Sequence, residues 1–429
     1  VRVALVSESF LPHVNGVTGS VVRVLEHLAR AGHDATVLAP GTPPGRVHGA
    51  RVVPLRSVPL PGLGPFRLGL PTARELAREL AAFAPDVVHL ASPFATGGPA
   101  VRAAGRLGLP VVAVYQTDVA GFAERYGLSA AADAAWWHVR AVHGAADLTL
   151  APSRIAAAAL TDHGIDRVRL WPRGVDTAAF SPAHHDPALH ARLAPGGGVL
   201  VGYVGRLAAE KQLEDLRALD GLPGVRLVVV GEGPARPALE RALPGARFLG
   251  LRTGADLSRL VATLDVAVQT GPHETFCQSA QEAMAAAVPV VAVGAGGVAE
   301  LVDPSRTGWL YPPGDLAVLR ARVADLAGDP AKRRAMGRAA RRAVRARTWP
   351  VVGEQLLGHY DEARARHSAR RTSAPDPAAR RPSPSDPAAR RPSPSDPDAR
   401  RPSSRGPSSP GPSSPGRGAT SHPGATPSR

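Results

Sequence analysis

A single cysteine, Cys277, stands in 429 residues, so an intramolecular disulfide or a zinc site built on several thiolates is not open to this chain. A reducing compartment is expected. Nowhere does an apolar run reach the ~18–20 residues that would span a bilayer. The first ten residues lack the charged start, apolar run and cleavage site of a signal peptide and read as a strand. These absences predict a cytoplasmic protein that touches the inner face of the plasma membrane. Aromatic residues are scarce, at 4%, while alanine, arginine, glycine and proline are abundant. That bias looks like codon preference and carries little functional meaning. Missing too are a GxGxxG fingerprint and a GKS/T phosphate loop, which excludes nicotinamide-dehydrogenase and ATPase readings.

The charge is one-sided, at +15, but unevenly placed. Residues 364–429 hold 13 arginines and four aspartates, a local +9 that leaves +6 for the rest. From about Ser368 the composition changes, and Pro375-Asp-Pro-Ala-Ala-Arg-Arg-Pro-Ser-Pro recurs every ten residues until about Ser403. With almost nothing apolar to bury, residues 368–429 are expected to be a disordered tail. Its paired arginines suit anionic lipid or nucleic acid, though a solvated extension without a partner is the simpler reading.

Before the tail, short Val- and Leu-rich runs alternate with helical patterns, as in parallel sheets covered by helices. Strands are expected at 3–7, 35–39, 87–90, 111–115 and 148–151, with a strand end at 170–172. A second set is expected at 200–204, 226–230, 247–249, 266–269 and 290–293. Helices are expected at 21–30, 73–82, 131–142, 213–219, 237–242, 257–262, 279–286, 316–326, 331–347 and 350–366. The fold class is therefore α/β, with two Rossmann-like domains facing one another across a deep cleft: 1–173 and 174–347.

The chemistry concentrates after strands. The loop Glu8-Ser-Phe-Leu-Pro-His-Val-Asn-Gly-Val-Thr-Gly-Ser20 lets the backbone, at Gly16 above all, approach a phosphate or sugar at a helix N-terminus. It is equally an ordinary strand-to-helix turn. Val204-Gly-Arg-Leu-Ala-Ala-Glu-Lys-Gln-Leu213 places Arg206 and Lys211 at a strand's C-terminal end. Two cations there can neutralise a diphosphate leaving group. The segment Gly271-Pro-His-Glu-Thr-Phe-Cys-Gln-Ser-Ala-Gln-Glu282 puts Glu274 on a loop and Glu282 about one turn into a helix. The first suits sugar hydroxyls and the second a ribose. The amides around Phe276, Cys277, Gln278 and Ser279 suit a phosphate.

These segments, with Gly174-Val-Asp176, the Gly231-Glu-Gly-Pro234 turn, Gly294-Ala-Gly-Gly297 and Thr307-Gly-Trp309, resemble glycosyltransferase family 4 over residues 1 to about 362. Glu274 and Glu282 form its E-x7-E motif. Glu8-Ser-Phe-Leu-Pro-His-Val-Asn-Gly16 and Tyr115-Gln-Thr-Asp-Val-Ala-Gly121 are similar to actinobacterial α-mannosyltransferases that act on glycolipids. The resemblance implies a GT-B fold whose last helix, 348–367, crosses back to the first domain. It implies transfer with retention from a nucleotide diphosphate sugar, GDP-mannose in the closer match, to a lipid or glycan acceptor, with no cofactor or metal. The one Asp-x-Asp, at Asp396 and Asp398, lies in the tail. Arg206 and Lys211 would hold the diphosphate, Glu282 the ribose and Glu274 the transferred sugar.

One departure stands out. Many relatives carry histidine after the strand at 111–115, where this chain has Gln116 and then Asp118. Asp118 is the expected polar contact near the anomeric carbon, with a turn cap as its plainer role. Two rivals fit parts of the pattern. A nucleotide-sugar epimerase or hydrolase shares the architecture but needs acid–base groups at the sugar. Binding of an anionic polymer or membrane through the basic tail would be unspecific and salt-sensitive. His13 sits beside the glycine loop, while His89, His138 and His143 read as packed residues. Trp136-Trp137 reads as core, or as a contact for lipid.

Overall fold

A run such as Val3-Ala-Leu-Val6, apolar at every position, is a strand that must be covered on both faces. In the computed structural model, which describes residues 1–13, 15–59, 67–118 and 129–373, all four are at most 1% exposed. Val3 and Leu5 join one apolar core and Ala4 and Val6 the other. The first sheet contains β1 (Arg2–Ser7), β2 (Asp34–Pro40), β3 (Arg46–Val47), β4 (Ala50–Leu55), β7 (Val87–Ala91), β8 (Val111–Val114), β9 (Leu148–Ala151) and β10 (Val168–Leu170). Their order is β10-β9-β8-β7-β1-β2-β4-β3, parallel except for β3, and β5 (Ser57–Pro59) pairs with β6 (Arg67–Gly69) in a separate ribbon. Helices α1 (Gly16–Arg30), α2 (Ala73–Phe83), α3 (Gly97–Leu107), α4 (Ser129–His143) and α5 (Arg154–Asp162) belong to this half.

The second sheet is all parallel, in the order β13-β12-β11-β14-β15-β16. Its strands are β11 (Val199–Val204), β12 (Val225–Val230), β13 (Arg247–Gly250), β14 (Val266–Gln269), β15 (Val290–Val293) and β16 (Gly308–Tyr311). With it run α6 (Pro187–Leu193), α7 (Arg236–Ala242), α8 (Gly254–Thr263), α9 (Gln278–Ala285), α10 (Leu316–Gly328) and α11 (Pro330–Val344). Two Rossmann-like sheets in one chain make the GT-B fold that the resemblance implied. In each, the strand order reverses around one strand, β1 or β11, and open α/β sheets bind ligands at the carboxyl end of that switch.

The last helix, α12 (Trp349–Ser373), returns to the first half. Val352, Leu356, Tyr360 and Ala363 are buried in the core that Val3 and Leu5 share. Burying a side chain such as that of Val352 or Leu356 stabilises by roughly 1.5–3 kcal/mol. Disorder was expected from Ser368, yet the helix continues to Ser373. His367 Nδ1 lies 3.2 Å and Arg370 Nη2 2.8 Å from the buried carboxylate of Asp147, which ties this end of the helix to the first half. The remainder of the tail, residues 60–66 and the end of the Tyr115–Gly121 motif lie outside the described residues.

A helix was expected at 213–219, and one stands there as a 3-10 helix, Leu213–Leu219. Gln212, in the left-handed region at φ 49°, precedes it and supplies no side-chain cap. The strand end expected at 170–172 stops at Leu170; Trp171 still donates to the Ala151 carbonyl, and Pro172 has no N–H to follow it.

Candidate active site between the two sheets

At the β11 switch the backbone of two turns comes into contact. A Cβ at Gly231, where φ is 136°, would lie 1.9 Å from the Gly205 carbonyl oxygen, so no larger residue fits. Arg206 leaves this turn half-exposed and donates through Nη2 to the buried Glu210 carboxylate. Lys211 follows, its carbonyl held by Thr270 Oγ1 at 2.8 Å. Its Nζ is 2.5 Å from Glu274 Oε1, and both side chains are about one-fifth exposed. Burial works against the Lys211 charge, but Glu274, with Glu210 further off, holds its pKa above the ordinary lysine value. The cation and the first carboxylate of the E-x7-E motif, 63 residues apart, are thus one unit.

The Glu274 loop owes its path to Gly296 and Gly297. A Cβ on Gly296 would stand 2.4 Å from the Pro272 carbonyl, and Gly297 N–H donates to the Glu274 carbonyl at 2.5 Å. This accounts for the glycines of the Gly294–Gly297 stretch. After the loop, buried Phe276 leads into Cys277 at φ 77°, and α9 begins with no side chain capping its first amides. A helix start whose cap residue makes no side-chain bond is a place where an anion can dock. Burial pushes the Cys277 thiol up to about 12, so it stays protonated. Gln278 Nε2 donates to Gly174 O at 3.1 Å and to Glu282 Oε1 at 3.4 Å. Burial raises the Glu282 pKa to about 7 against the opposing effects of Gln278 and Arg23.

The first sheet meets this loop directly. Thr275 Oγ1 donates to the Gln116 carbonyl at 2.9 Å, joining the residue after Glu274 to the end of β8. Asp118 accepts from Tyr115 Oη at 3.0 Å. Gly16 opens α1, whose cap Asn15 accepts from Thr18 N at 2.9 Å and donates to Ser9 Oγ at 2.8 Å. Burial, and then the Arg206 charge, lowers the His13 pKa. The β1–α1 loop therefore feels the cation of the opposite half. Two further contacts span the halves. Arg23 Nη2 lies 3.2 Å from Asp176 Oδ2, and Glu300 accepts from the first amides of α5, Arg154 N at 3.0 Å and Ile155 N at 2.6 Å.

Of the expected site residues, the structure brings Arg206, Lys211, Glu274, Phe276, Cys277, Gln278 and Glu282 onto one edge of the second sheet. Gln116 touches it from the first. Asp118 follows β8 and Gly16 follows β1, two strands of the first sheet with β7 between them. His89 and His143 are buried, bonded to Tyr360 Oη at 2.8 Å and Thr149 Oγ1 at 3.2 Å, as packing residues should be. Trp136 stacks on His163 at 3.5 Å, while Trp137 is 67% exposed. The sequence reading missed what three residues do: Arg173, Glu300 and Glu8. Buried Glu8 accepts through Oε2 from Thr96 Oγ1 at 2.8 Å, Thr96 N at 3.0 Å and Phe94 N at 3.2 Å. The only advance signal for these was a charged residue at the end of an apolar run.

No helix among the described residues is long and apolar enough to cross a membrane. A family model described as Glycosyltransferase Family 4 matches residues 14–179, and one described as Glycosyl transferases group 1 matches 188–343. The chain is 50% identical over 376 residues to the GDP-mannose-dependent alpha-mannosyltransferase of Mycolicibacterium smegmatis, covering 86% of this chain and 99% of the relative. It is 49% identical over 377 residues to the Mycobacterium tuberculosis protein of the same name, with the same coverage. The solved structure of sucrose-phosphate synthase from Thermosynechococcus elongatus superposes with a TM-score of 0.71 at 22% identity, over 85% of this chain and 99% of that one. That likeness supports the fold alone. Site, sheets and relatives agree: this chain is a glycosyltransferase and belongs to family 4.

Proposed function

We propose that the protein transfers a mannosyl group from GDP-mannose, with retention, to a hydroxyl of a lipid or glycolipid. The observation that carries this reading is the Lys211–Glu274 pair beside the start of α9, where the cap residue makes no side-chain bond. It sets a phosphate-binding cation and a hydroxyl-binding carboxylate against one another before the donor arrives. In this reading Arg206 and Lys211 take the diphosphate with the amides at 276–279. Glu282 accepts the ribose hydroxyls, Glu274 holds the hexose, and Gly16 brings backbone close to the phosphates. Asp118 lies near the anomeric carbon. The bond from C1 to the β-phosphate oxygen breaks while the acceptor oxygen bonds C1 from the same face. The acceptor's proton passes to the departing phosphate oxygen, so no enzymic nucleophile is needed. The relatives' printed names support mannose and guanine as the donor's parts.

Charge neutralisation by Arg206 and Lys211 stands in for a divalent cation, and we propose that the reaction needs none. We also place it in the cytoplasm, at the inner face of the plasma membrane, on the strength of the basic balance and a lipid acceptor. The test is turnover of GDP-mannose, GDP-glucose and UDP-glucose with a short-chain glycolipid in EDTA, with the product anomer read by NMR. Preferential use of GDP-mannose to give an α-linked product is expected. Preference for a UDP-sugar would discard the donor assignment, and a β-linked product would discard retention.

A further inference from the structure

Arg173 lies where the chain leaves the first sheet, and its side chain is turned inward, leaving the residue 8% exposed. Nη2 donates to Gln116 Oε1, whereas Nη1 has no hydrogen-bond partner, and neither has the buried Nε2 of Gln116. No carboxylate lies within ion-pair distance of it among the described residues, and burial lowers its pKa to about 10. A buried, unpaired cation is strongly unfavourable, and proteins retain one where it has a task.

Its position indicates the task. Two side chains of α9 hold the backbone here: Gln281 Nε2 donates to Arg173 O at 3.0 Å and Gln278 Nε2 to Gly174 O at 3.1 Å. The side chain reaches Gln116, whose carbonyl binds Thr275 beside Glu274. The backbone of Arg173 and Gly174 is therefore held by α9, and the guanidinium is held by Gln116 just after β8, the residue whose carbonyl meets the Glu274 loop. Arg206 and Lys211 each face a carboxylate as well, Glu210 and Glu274. Arg173 alone in this group brings a positive charge that no carboxylate offsets.

We infer that Arg173 is a catalytic residue whose free Nη1 binds the β-phosphate oxygen at which the bond to the sugar breaks. This rests on the nucleotide-sugar reading given above. As C1–O cleaves, the bonding pair stays on that oxygen and the leaving diphosphate gains one negative charge. The acceptor's proton then settles there, and Arg173 keeps its own protons throughout. A charge matched only during departure accelerates the step without tightening the ground state.

The experiment compares full-length wild type with R173M and R173K by three readouts: ligand-free Tm, calorimetric Kd for GDP-mannose, and kcat. R173M should bind donor within about threefold and lose kcat by on the order of 10²–10³-fold. Its Tm should be unchanged or higher, because an apolar side chain replaces an unpaired buried charge. R173K should recover at least about a tenth of the wild-type rate, since it restores charge without the planar fork. Wild-type kcat in R173M overturns the inference. So does a lower Tm, a failure to fold, or weakened binding that matches the lost rate, since each marks a brace between the halves. If wild type itself binds no nucleotide sugar, the reading beneath falls as well; if wild type binds and R173M turns over normally, this inference alone falls.

Discussion

The two halves share one topology and differ in what they place at its switch point. At β11 the loop residues are cations and carboxylates facing each other: Arg206 with Glu210, Lys211 with Glu274. At β1 the corresponding loop carries hydroxyls and amides, Ser9, Asn15 and Thr18, bonded among themselves. Its one carboxylate, Glu8, is turned into its own half, bound by Thr96 and Phe94. Burial, opposed by those same bonds, raises the Glu8 pKa. The second switch is built for a ligand with concentrated negative charge, and the first for one read by hydroxyl contacts. A doubly wound sheet fixes where a ligand lies, while its chemistry is decided by a few side chains on the turns.

The largest effect should come from breaking the paired switch. K211M removes a cation that the donor needs and leaves Glu274 with an unpaired charge. kcat/KM should fall by on the order of 10³-fold, and E274Q should fall almost as far, because the two act as one unit. Additive losses in the double variant would show that they act separately.

A smaller effect sharpens the comparison through pH. Glu282 has a folded pKa of about 7, above the ordinary 4.5. Its contribution to stability is fully present below pH 4.5 and is lost as pH rises through about 7, because the ionised form is penalised by burial. Wild-type GDP affinity should rise over that same window as the acceptor carboxylate forms. E282Q should bind GDP about tenfold more weakly, with no pH dependence near 7, and its ligand-free Tm at pH 8 should exceed that of wild type. A Tm below wild type would mean that the bond from Gln278 outweighs the burial of the ionised Glu282 carboxylate.

Much of this was legible in the sequence because it is local. Short runs apolar at every position, such as 3–6 and 290–293, mark buried parallel strands in an α/β protein, and strands stand there. The spacing of Glu274 and Glu282 within one loop and helix is likewise contained in a dozen residues. Alanine-rich α3 and α5 were missed, since small side chains leave a weak apolar stripe for periodicity to detect. So was β16, a four-residue strand that begins at Gly308. Arg173, Glu300 and Asp147 were beyond reach for a different reason. Their meaning lies in partners 57 to 223 positions away, brought together only by packing. Lys211 and Glu274 were each named, but that they touch was not readable.

The central claim is that the donor's charge belongs to the second half. It is tested most directly by calorimetric titration of GDP-mannose into the full chain in EDTA, with R206A and E8Q as the paired variants. The account predicts micromolar binding by wild type, a loss of at least about tenfold in R206A, and an affinity within twofold of wild type in E8Q. Equal losses in both variants, or no binding until a divalent cation is added, would contradict it.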